Sequence, residues 1–150
     1  MKIDETLNSR PKVYGNLTSD YKKVTGNNVK SFESRLIQAE YDNYSEKLND
    51  LAERIFEQGK KLEKRMDIRE YIVYKRYISE FLNEYVNNTF KFSKQRMMDR
   101  RGRYRTYSVI KKINYELDEL ANELLKDQKD NFKILKRLDC IRGLILDMLL

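Results

Sequence analysis

The scarcity of helix-breaking residues constrains the fold of this chain more than any other feature of its sequence. Proline occurs once in 150 residues, at Pro11, and glycine occurs five times. Proline lacks a backbone donor and glycine loses much conformational entropy in a helix, so a chain poor in both favours long helices over short strands joined by turns. This length suits one domain with a real hydrophobic core.

After residue 31, apolar side chains recur at the three- and four-residue steps of an amphipathic helix. The first such segment runs from about Ser31 to Lys64, a second starts after Asp67, and a third starts near Tyr107. The predicted core positions are Tyr41, Tyr44, Leu48, Leu51, Ile55, Leu62, Tyr71, Tyr74, Ile78, Phe81, Leu82, Tyr85, Phe90, Ile110, Ile113, Leu117, Leu120, Leu124, Phe132, Leu135, Leu138, Ile141, Leu144, Ile145 and Met148. These stripes predict an all-α fold, an antiparallel bundle of three to four long helices.

Three boundaries between helices are marked by polar residues or glycine. Asp67 and Glu70 form a predicted capping box, in which Asp67 accepts from free N–H groups and Glu70 reaches back to the cap. The second helix should fade between Phe92 and Arg100, and Gly102 can take the left-handed conformation that ends helices. At residues 126–131, KDQKDN, the apolar stripe fails, so either one long helix shifts its buried face or the chain turns into a fourth helix.

The first 30 residues differ in composition from the rest, being rich in Asn, Ser, Thr, Gly and Lys without a sustained apolar period. We therefore expect residues 1–30 to form a flexible tail and residues 31–150 to form the helical bundle domain. The start, MKIDETLNSRPK, lacks the apolar region of a signal peptide, and the most apolar stretch, GLILDMLL, is far shorter than the roughly 20 residues of a membrane span. The single cysteine, Cys140, cannot form an internal disulfide. These features predict a cytoplasmic protein with no membrane contact.

The residues available for catalysis are few. Histidine is absent, and no glycine-rich phosphate-binding loop occurs. Cys140 is predicted to be a small buried hydrophobe, since a cysteine nucleophile needs a neighbouring base. Glu116, Asp118, Glu119 and Glu123 are interpreted as a solvated helix face that forms ion pairs with lysines, in preference to a metal site. We expect a protein that is not an enzyme, with no catalytic residue, metal or cofactor.

Positive charge is concentrated in one segment. Residues 91–112 contain nine basic residues and one acidic residue, Asp99, whereas the whole chain has a net charge of +7. Arg96, Arg100 and Arg101 are predicted to lie in the closing turns of the second helix, where the helix dipole favours positive charge. Residues from Arg103 onward precede or open the third helix, where the dipole disfavours it. The candidate anion-binding residues are Arg96, Arg100, Arg101, Arg103, Tyr104, Arg105, Tyr107, Lys111 and Lys112.

Three segments in the second half of the chain are distinctive: KLEKRMDIREYIVYKRYISEFL, the basic RRGRYRTYSVIKKINYELDELANELL, and the ending LKRLDCIRGLILDMLL. With these segments the chain resembles the YaaR-like family of bacterial proteins. The resemblance covers roughly residues 45–150 and leaves out residues 1–30. The resemblance implies a small cytoplasmic all-α protein, mostly from Gram-positive bacteria, with no assigned activity and no catalytic residues.

Two functional hypotheses follow from the basic segment. In the first, the protein is an interaction or adaptor bundle that uses a basic inter-helix loop, together with its terminal helix, to bind an acidic protein partner. In the second, the same arginines contact the phosphates of a nucleic acid, with Tyr104 and Tyr107 stacking on bases. The sequence leaves the partner and the oligomeric state open.

Overall fold

The computed structural model describes the backbone of residues 11–96 and 100–150 and the side chains of residues 31–89, 91 and 101–150. The described residues form four helices and no strand, which confirms the predicted all-α bundle. The helices are α1 (Pro11–Lys64), α2 (Ile68–Arg96), α3 (Arg100–Leu125) and α4 (Asn131–Leu149). The chain divides into two compact units, of which the first ends at Asn43 and the second spans Tyr44–Leu150.

The first helix begins at Pro11, about 20 residues earlier than its apolar stripe predicts. Proline suits the first position of a helix because its missing N–H would have no intrahelical acceptor there. Hydrophobic periodicity cannot detect residues 11–30, since they lack a sustained apolar stripe. The backbone of these residues is helical where a flexible tail was predicted. Residues 1–10 lie outside the described part of the chain, and the domain boundary at residue 30 stays a prediction.

Side chains of the first unit are described from Ser31 to Asn43, and several large apolar ones among them are exposed. Phe32 is 68% exposed and Tyr41 is 41% exposed. Gln38 Nε2 donates to the carboxylate of Asp42 at 3.0 Å, one turn further along the helix. The prediction that Tyr41 belongs to the core is therefore wrong for the described structure.

Neighbouring helices of the second unit run antiparallel. Gln58 near the end of α1 donates to Glu70 at the start of α2, whereas Lys47, earlier in α1, pairs with Glu84, later in α2. The hydroxyl of Tyr71 in α2 donates to the carbonyl of Leu117 in α3 at 2.9 Å. This buried bond fixes α3 against α2 and so sets the position of the charged residues described below.

The core of the second unit follows the predicted stripes in α1, α2 and α3. Its buried apolar residues are Leu48, Leu51, Ala52, Ile55, Leu62, Tyr71, Tyr74, Ile78, Phe81, Leu82, Ile113, Leu117, Leu120, Leu124, Ile134, Leu138, Ile141, Ile145 and Met148. The buried face predicted for the start of α4 was wrong. Phe132 is 75% exposed and Leu135 is 39% exposed, whereas Ile134 is fully buried. Cys140 is exposed, because the buried positions on either side of it are Leu138 and Ile141.

The polar boundaries act as helix starts. The Asp130 carboxylate accepts from the N–H groups of Phe132 and Lys133, so residues 126–130 are a connection into a fourth helix. The Asp67 carboxylate accepts from the N–H of Arg69, as the predicted capping box requires. The second half of the box is wrong, because the Glu70 carboxylate accepts from Gln58 Nε2 and the N–H of Asp67 donates to the carbonyl of Arg65.

Candidate functional site

The described parts of the basic segment, residues 91–96 and 100–112, are helical. Arg96 is the last residue of α2, Arg100 is the first residue of α3, and residues 97–99 between them lie outside the described part. Gly102 was expected to end a helix but lies within the first turn of α3, where its carbonyl accepts from the Thr106 hydroxyl at 3.0 Å. A glycine in a helical sequence is ambiguous, since it can serve as a cap or be tolerated inside at a cost of about 1 kcal/mol.

Most of the candidate residues lie along the first half of α3 with exposed side chains. We call this set the basic surface, and its members are Arg101, Arg103, Tyr104, Arg105, Tyr107, Lys111 and Lys112. Tyr104 and Tyr107 are 77% and 67% exposed. The inward positions of the same segment belong to Val109, Ile110 and Ile113, which anchor it to the core. The side chains of Arg96 and Arg100 lie outside the described set.

The helix dipole does not explain the basic surface. Arg100 and Arg101 open α3 instead of closing α2, so the favourable dipole interaction predicted for them is absent. The amino end of a helix carries partial positive charge, which disfavours each nearby cation by about 0.3–1 kcal/mol. From Arg100 to Tyr115 the sequence contains no acidic residue. No described carboxylate forms an ion pair with a member of the basic surface.

The second half of α3 is acidic and partly buried against α4. Glu116 and Glu123 are 5% and 7% exposed, so the prediction that they lie on a solvated face is wrong. Arg137 of α4 donates to Glu116 at 2.8 Å and lies 3.8 Å from Glu119. The hydrogen bond to Glu116 raises the pKa of Arg137 above its ordinary value. This ion pair fixes α4 beside α3.

The buried carboxylate of Glu123 has a described partner on only one of its two oxygens. One carboxylate oxygen accepts from Lys126 Nζ at 2.8 Å, as the expected pairing with lysine requires. The other oxygen is buried and has no hydrogen-bond partner among the described residues. Within the described residues, no three carboxylate or cysteine side chains come together as a metal site would require.

One exposed residue beside the basic surface was missed by the sequence analysis. Tyr115 is 56% exposed and lies eleven positions after Tyr104, a spacing that places both side chains on the same side of a helix. Lys111 lies between them on that side. Counting helical turns forward from Tyr104 would have found it, so the exposed tyrosines continue beyond the arginines.

A shallow groove of about 440 Å³ adjoins the basic surface. It lies where α2, α3 and the end of α4 meet, and Arg105 is the only member of the basic surface among its described lining residues. The other lining residues are Tyr85, Thr106, Val109, Asp147, Met148 and Leu150. The other members of the basic surface do not line this groove, so the groove and the basic surface share only Arg105.

Comparison with known protein families shows to which family this chain belongs. The sequence model of a family of proteins of unknown function, DUF327, matches residues 7–149. The chain belongs to this family. The match begins far upstream of the resemblance expected for residues 45–150 and includes most of the segment expected to be a tail. None of the helices in the described part is long and apolar enough to cross a membrane.

Three known proteins resemble this chain in sequence or in fold. It is 26% identical over 90 residues to the uncharacterized protein YaaR of Bacillus subtilis (strain 168), and the aligned part covers 60% of this chain and 62% of YaaR. The crystal structure of an uncharacterized protein from Bacillus halodurans has 28% identity and a TM-score of 0.64, covering 73% of this chain and 89% of that one. A DUF327 protein from Thermotoga maritima has 24% identity and a TM-score of 0.65, covering 78% and 96% of the two chains. The relationship to YaaR confirms the predicted YaaR-like family.

Proposed function

We propose that this DUF327 protein is a non-enzymatic binding protein of the cytoplasm that docks an acidic protein partner on the basic surface of α3. The observation that carries the proposal is the exposure of Arg101, Arg103 and Arg105 on a helix segment without any acidic residue. Charges that the helix dipole disfavours and that no described carboxylate neutralises do not stabilise the fold. Their arrangement suits an anionic ligand.

The tyrosines favour a protein as that ligand. Tyrosine and arginine are enriched where protein interfaces are tightest, because both combine a large contact area with directed hydrogen bonds. Tyr104 and Tyr107 alternate with the arginines and are largely exposed. From Arg101 to Lys112 the surface is about 17 Å long at 1.5 Å per residue, which matches a few turns of a partner helix. An acidic helix or strand of that length would pair with the arginines while covering the tyrosine rings.

An affinity pull-down from a cytoplasmic extract tests the proposal. The full chain serves as bait, in parallel with the variant Arg101→Glu/Arg103→Glu/Arg105→Glu. We expect the parent to retain an acidic protein that the variant loses, because each substitution replaces an attractive charge with a repulsive one. Direct titration of the purified partner should then show binding weakened by at least about tenfold, or about 1.4 kcal/mol.

A matched control separates this surface from net charge. The variant Arg54→Glu/Lys61→Glu/Lys75→Glu lowers the net charge by the same amount at exposed positions on α1 and α2. It should retain the partner. The proposal is wrong if both triple variants lose the partner equally, or if the α3 variant retains it.

Nucleic-acid binding is the second candidate, supported by the largely exposed rings of Tyr104 and Tyr107 beside arginines. Base stacking on tyrosine together with phosphate contacts is how many single-strand-binding proteins work. Contacts to about five phosphates would give a log–log salt slope of about −4 to −5. Fluorescence anisotropy with a labelled duplex and a labelled single strand measures it. Absence of binding at low salt, or binding that the α3 triple variant leaves unchanged, excludes this candidate.

A further inference from the structure

The outer side of α4 carries an apolar surface that the second unit does not cover. Phe132 and Leu135 near its start are 75% and 39% exposed, and Leu146 near its end is 44% exposed. Leu150, directly after the helix, is also exposed. These residues belong to two groups, one near each end of α4, separated by a polar middle that contains Asp139 and Gly143.

Gly143 lies in the interior of α4, where glycine costs about 1 kcal/mol relative to alanine. Nothing among the described residues requires it, because a Cβ built at this position would meet none of their atoms within 4 Å. Gly59 differs, since its Cβ would contact the ring of Tyr74 at 3.5 Å. An exposed glycine between two apolar groups allows the backbone of another helix to approach closely.

The charges of α4 also run against its own dipole. No acidic residue lies in the first turn and no basic residue lies in the last. Lys136 lies in the first half and Asp147 in the last turns, both exposed, and no described residue forms an ion pair with either. A second α4 placed antiparallel would bring Asp147 of one chain to Lys136 of the other.

We propose that α4 pairs with α4 of a second copy of this chain, antiparallel, about a two-fold axis that crosses the exposed side of α4 at the level of Ile141. Phe132 and Leu150 lie equally far from Ile141 on opposite sides, and Leu135 and Leu146 nearly so. The same axis therefore joins each apolar group to the opposite group of the second copy. It also places Asp139 against the open backbone of Gly143 and Lys136 beside Asp147.

A contact surface that matches itself under one rotation is what a two-fold interface requires. An unrelated partner would need no such symmetry of both apolar groups and charges. One helix pair is a small contact, so we expect a weak, reversible dimer with a dissociation constant of about 1–100 µM. This proposal does not depend on the basic surface, which lies on α3.

Sedimentation velocity of the full chain over a range of concentrations tests the pairing. We expect a monomer–dimer equilibrium in the parent and a dissociation constant raised at least about tenfold in Gly143→Leu and in Leu146→Glu. Far-ultraviolet circular dichroism should show Gly143→Leu folded, since the monomer has room for the side chain. A parent that stays monomeric up to about ten times the proposed range would overturn the proposal.

The charges provide a test by exchange. Lys136→Glu alone and Asp147→Lys alone should each weaken the dimer, whereas the double variant should restore it, because the pair is rebuilt with opposite sign. Cys140 is the only cysteine and is exposed close to the axis. A short bismaleimide reagent should therefore crosslink the parent into dimers, and Gly143→Leu should abolish the crosslink. Dimers that survive in Gly143→Leu, or a double charge variant no stronger than the single ones, would contradict the model.

The proposed dimer and the proposed acidic partner can be tested independently of each other. The Arg101→Glu/Arg103→Glu/Arg105→Glu variant should dimerise like the parent, and Gly143→Leu should still retain the acidic partner. Loss of dimerisation in the arginine variant would show that the interface is not on α4.

Discussion

At the scale of single residues, the charged contact between α3 and α4 matters because it neutralises a buried carboxylate. Glu116 is almost fully buried, and Arg137, which is half-buried, is the cation that neutralises it. Burying a carboxylate without a partner costs several kcal/mol, whereas a paired one costs little. Arg137 therefore stabilises the second unit mainly by removing the cost of an unpaired buried Glu116. The attraction between the two charges contributes less.

Replacing Arg137 with alanine should reveal that dependence. We expect Arg137→Ala to lower the free energy of unfolding by about 2–3 kcal/mol, because Glu116 would stay buried without its hydrogen-bond donor. Urea unfolding followed by circular dichroism measures the change. Lys133→Ala, at an exposed position on the same helix, should stay within about 0.5 kcal/mol of the parent. An equal effect of the two substitutions would mean that the pair contributes nothing.

The buried phenol of Tyr74 makes stability depend on alkaline pH. Burial, and next the charge of Glu63, raise the pKa of Tyr74 above its ordinary value of 10.0. Burial also raises the pKa of Tyr71, with a smaller effect from Asp118. The unfolded chain therefore loses these protons first as the pH rises, so stability is intact below about pH 10 and is lost above it.

Tyr74→Phe should reduce the alkaline loss of stability, because phenylalanine has no proton to lose. The urea midpoint measured from about pH 8 to pH 11 should fall less steeply in this variant than in the parent. Part of the fall remains, since Tyr71 still titrates. Tyr104→Phe, at an exposed position, should follow the parent. A Tyr74→Phe profile that coincides with the parent would contradict this assignment.

At the scale of secondary-structure elements, α3 is positioned by core contacts from Val109 to Leu124. Its first half is anchored by Ile113 and neighbouring apolar residues, and its middle is held where Tyr71 donates to the Leu117 carbonyl. Its second half is tied to α4 through Glu116 and Arg137. The basic surface therefore continues from an anchored part of the same helix, and a helix that is already formed would lose less conformational entropy on binding a partner.

The connection between α3 and α4 depends on one cap. The Asp130 carboxylate accepts from two N–H groups in the first turn of α4. Asp130→Ala should lower the free energy of unfolding by about 1 kcal/mol, the usual effect of removing such a cap. Asp127→Ala, at an exposed position of the same connection, should change it by less than about 0.5 kcal/mol. Thermal unfolding of both variants checks the difference, and equal melting temperatures would show that the cap is dispensable.

At the scale of the whole molecule, the sequence predicts the apolar stripes of the helices well. It predicts poorly where each stripe ends or changes its buried face. Leu48 to Leu62 and Ile113 to Leu124 were found because burial on one side of a helix leaves a three- and four-residue repeat. The position of Phe132 was wrong because, after the break at residues 126–130, no residue fixes the rotational phase of α4. The burial of Glu116 was unpredictable for a different reason, since it depends on Arg137 from another helix.

The candidate site was predictable only in part. The concentration of arginines between residues 96 and 105 is visible in composition, and the exposure of Arg101, Arg103 and Arg105 follows from their charge. Their helical setting was missed because Gly102 suggested a turn. A sequence pattern interprets a glycine only from its neighbours in the chain. In the structure, α3 is stabilised as a helix by the core contacts of residues further along the chain.

The charge order of α3 has a consequence for the rate and geometry of encounters in solution. Its first half is positive and its second half contains the carboxylates of Glu116, Asp118, Glu119 and Glu123. An acidic molecule that diffuses toward this helix is attracted by the first half of α3 and repelled by the second half. It is therefore oriented before contact. Such steering acts over about 8 Å at physiological ionic strength and shortens as salt is added. The acidic half, in which Glu116 and Glu119 also help hold α4 in place through Arg137, would therefore keep an approaching acidic partner from binding the second half of α3.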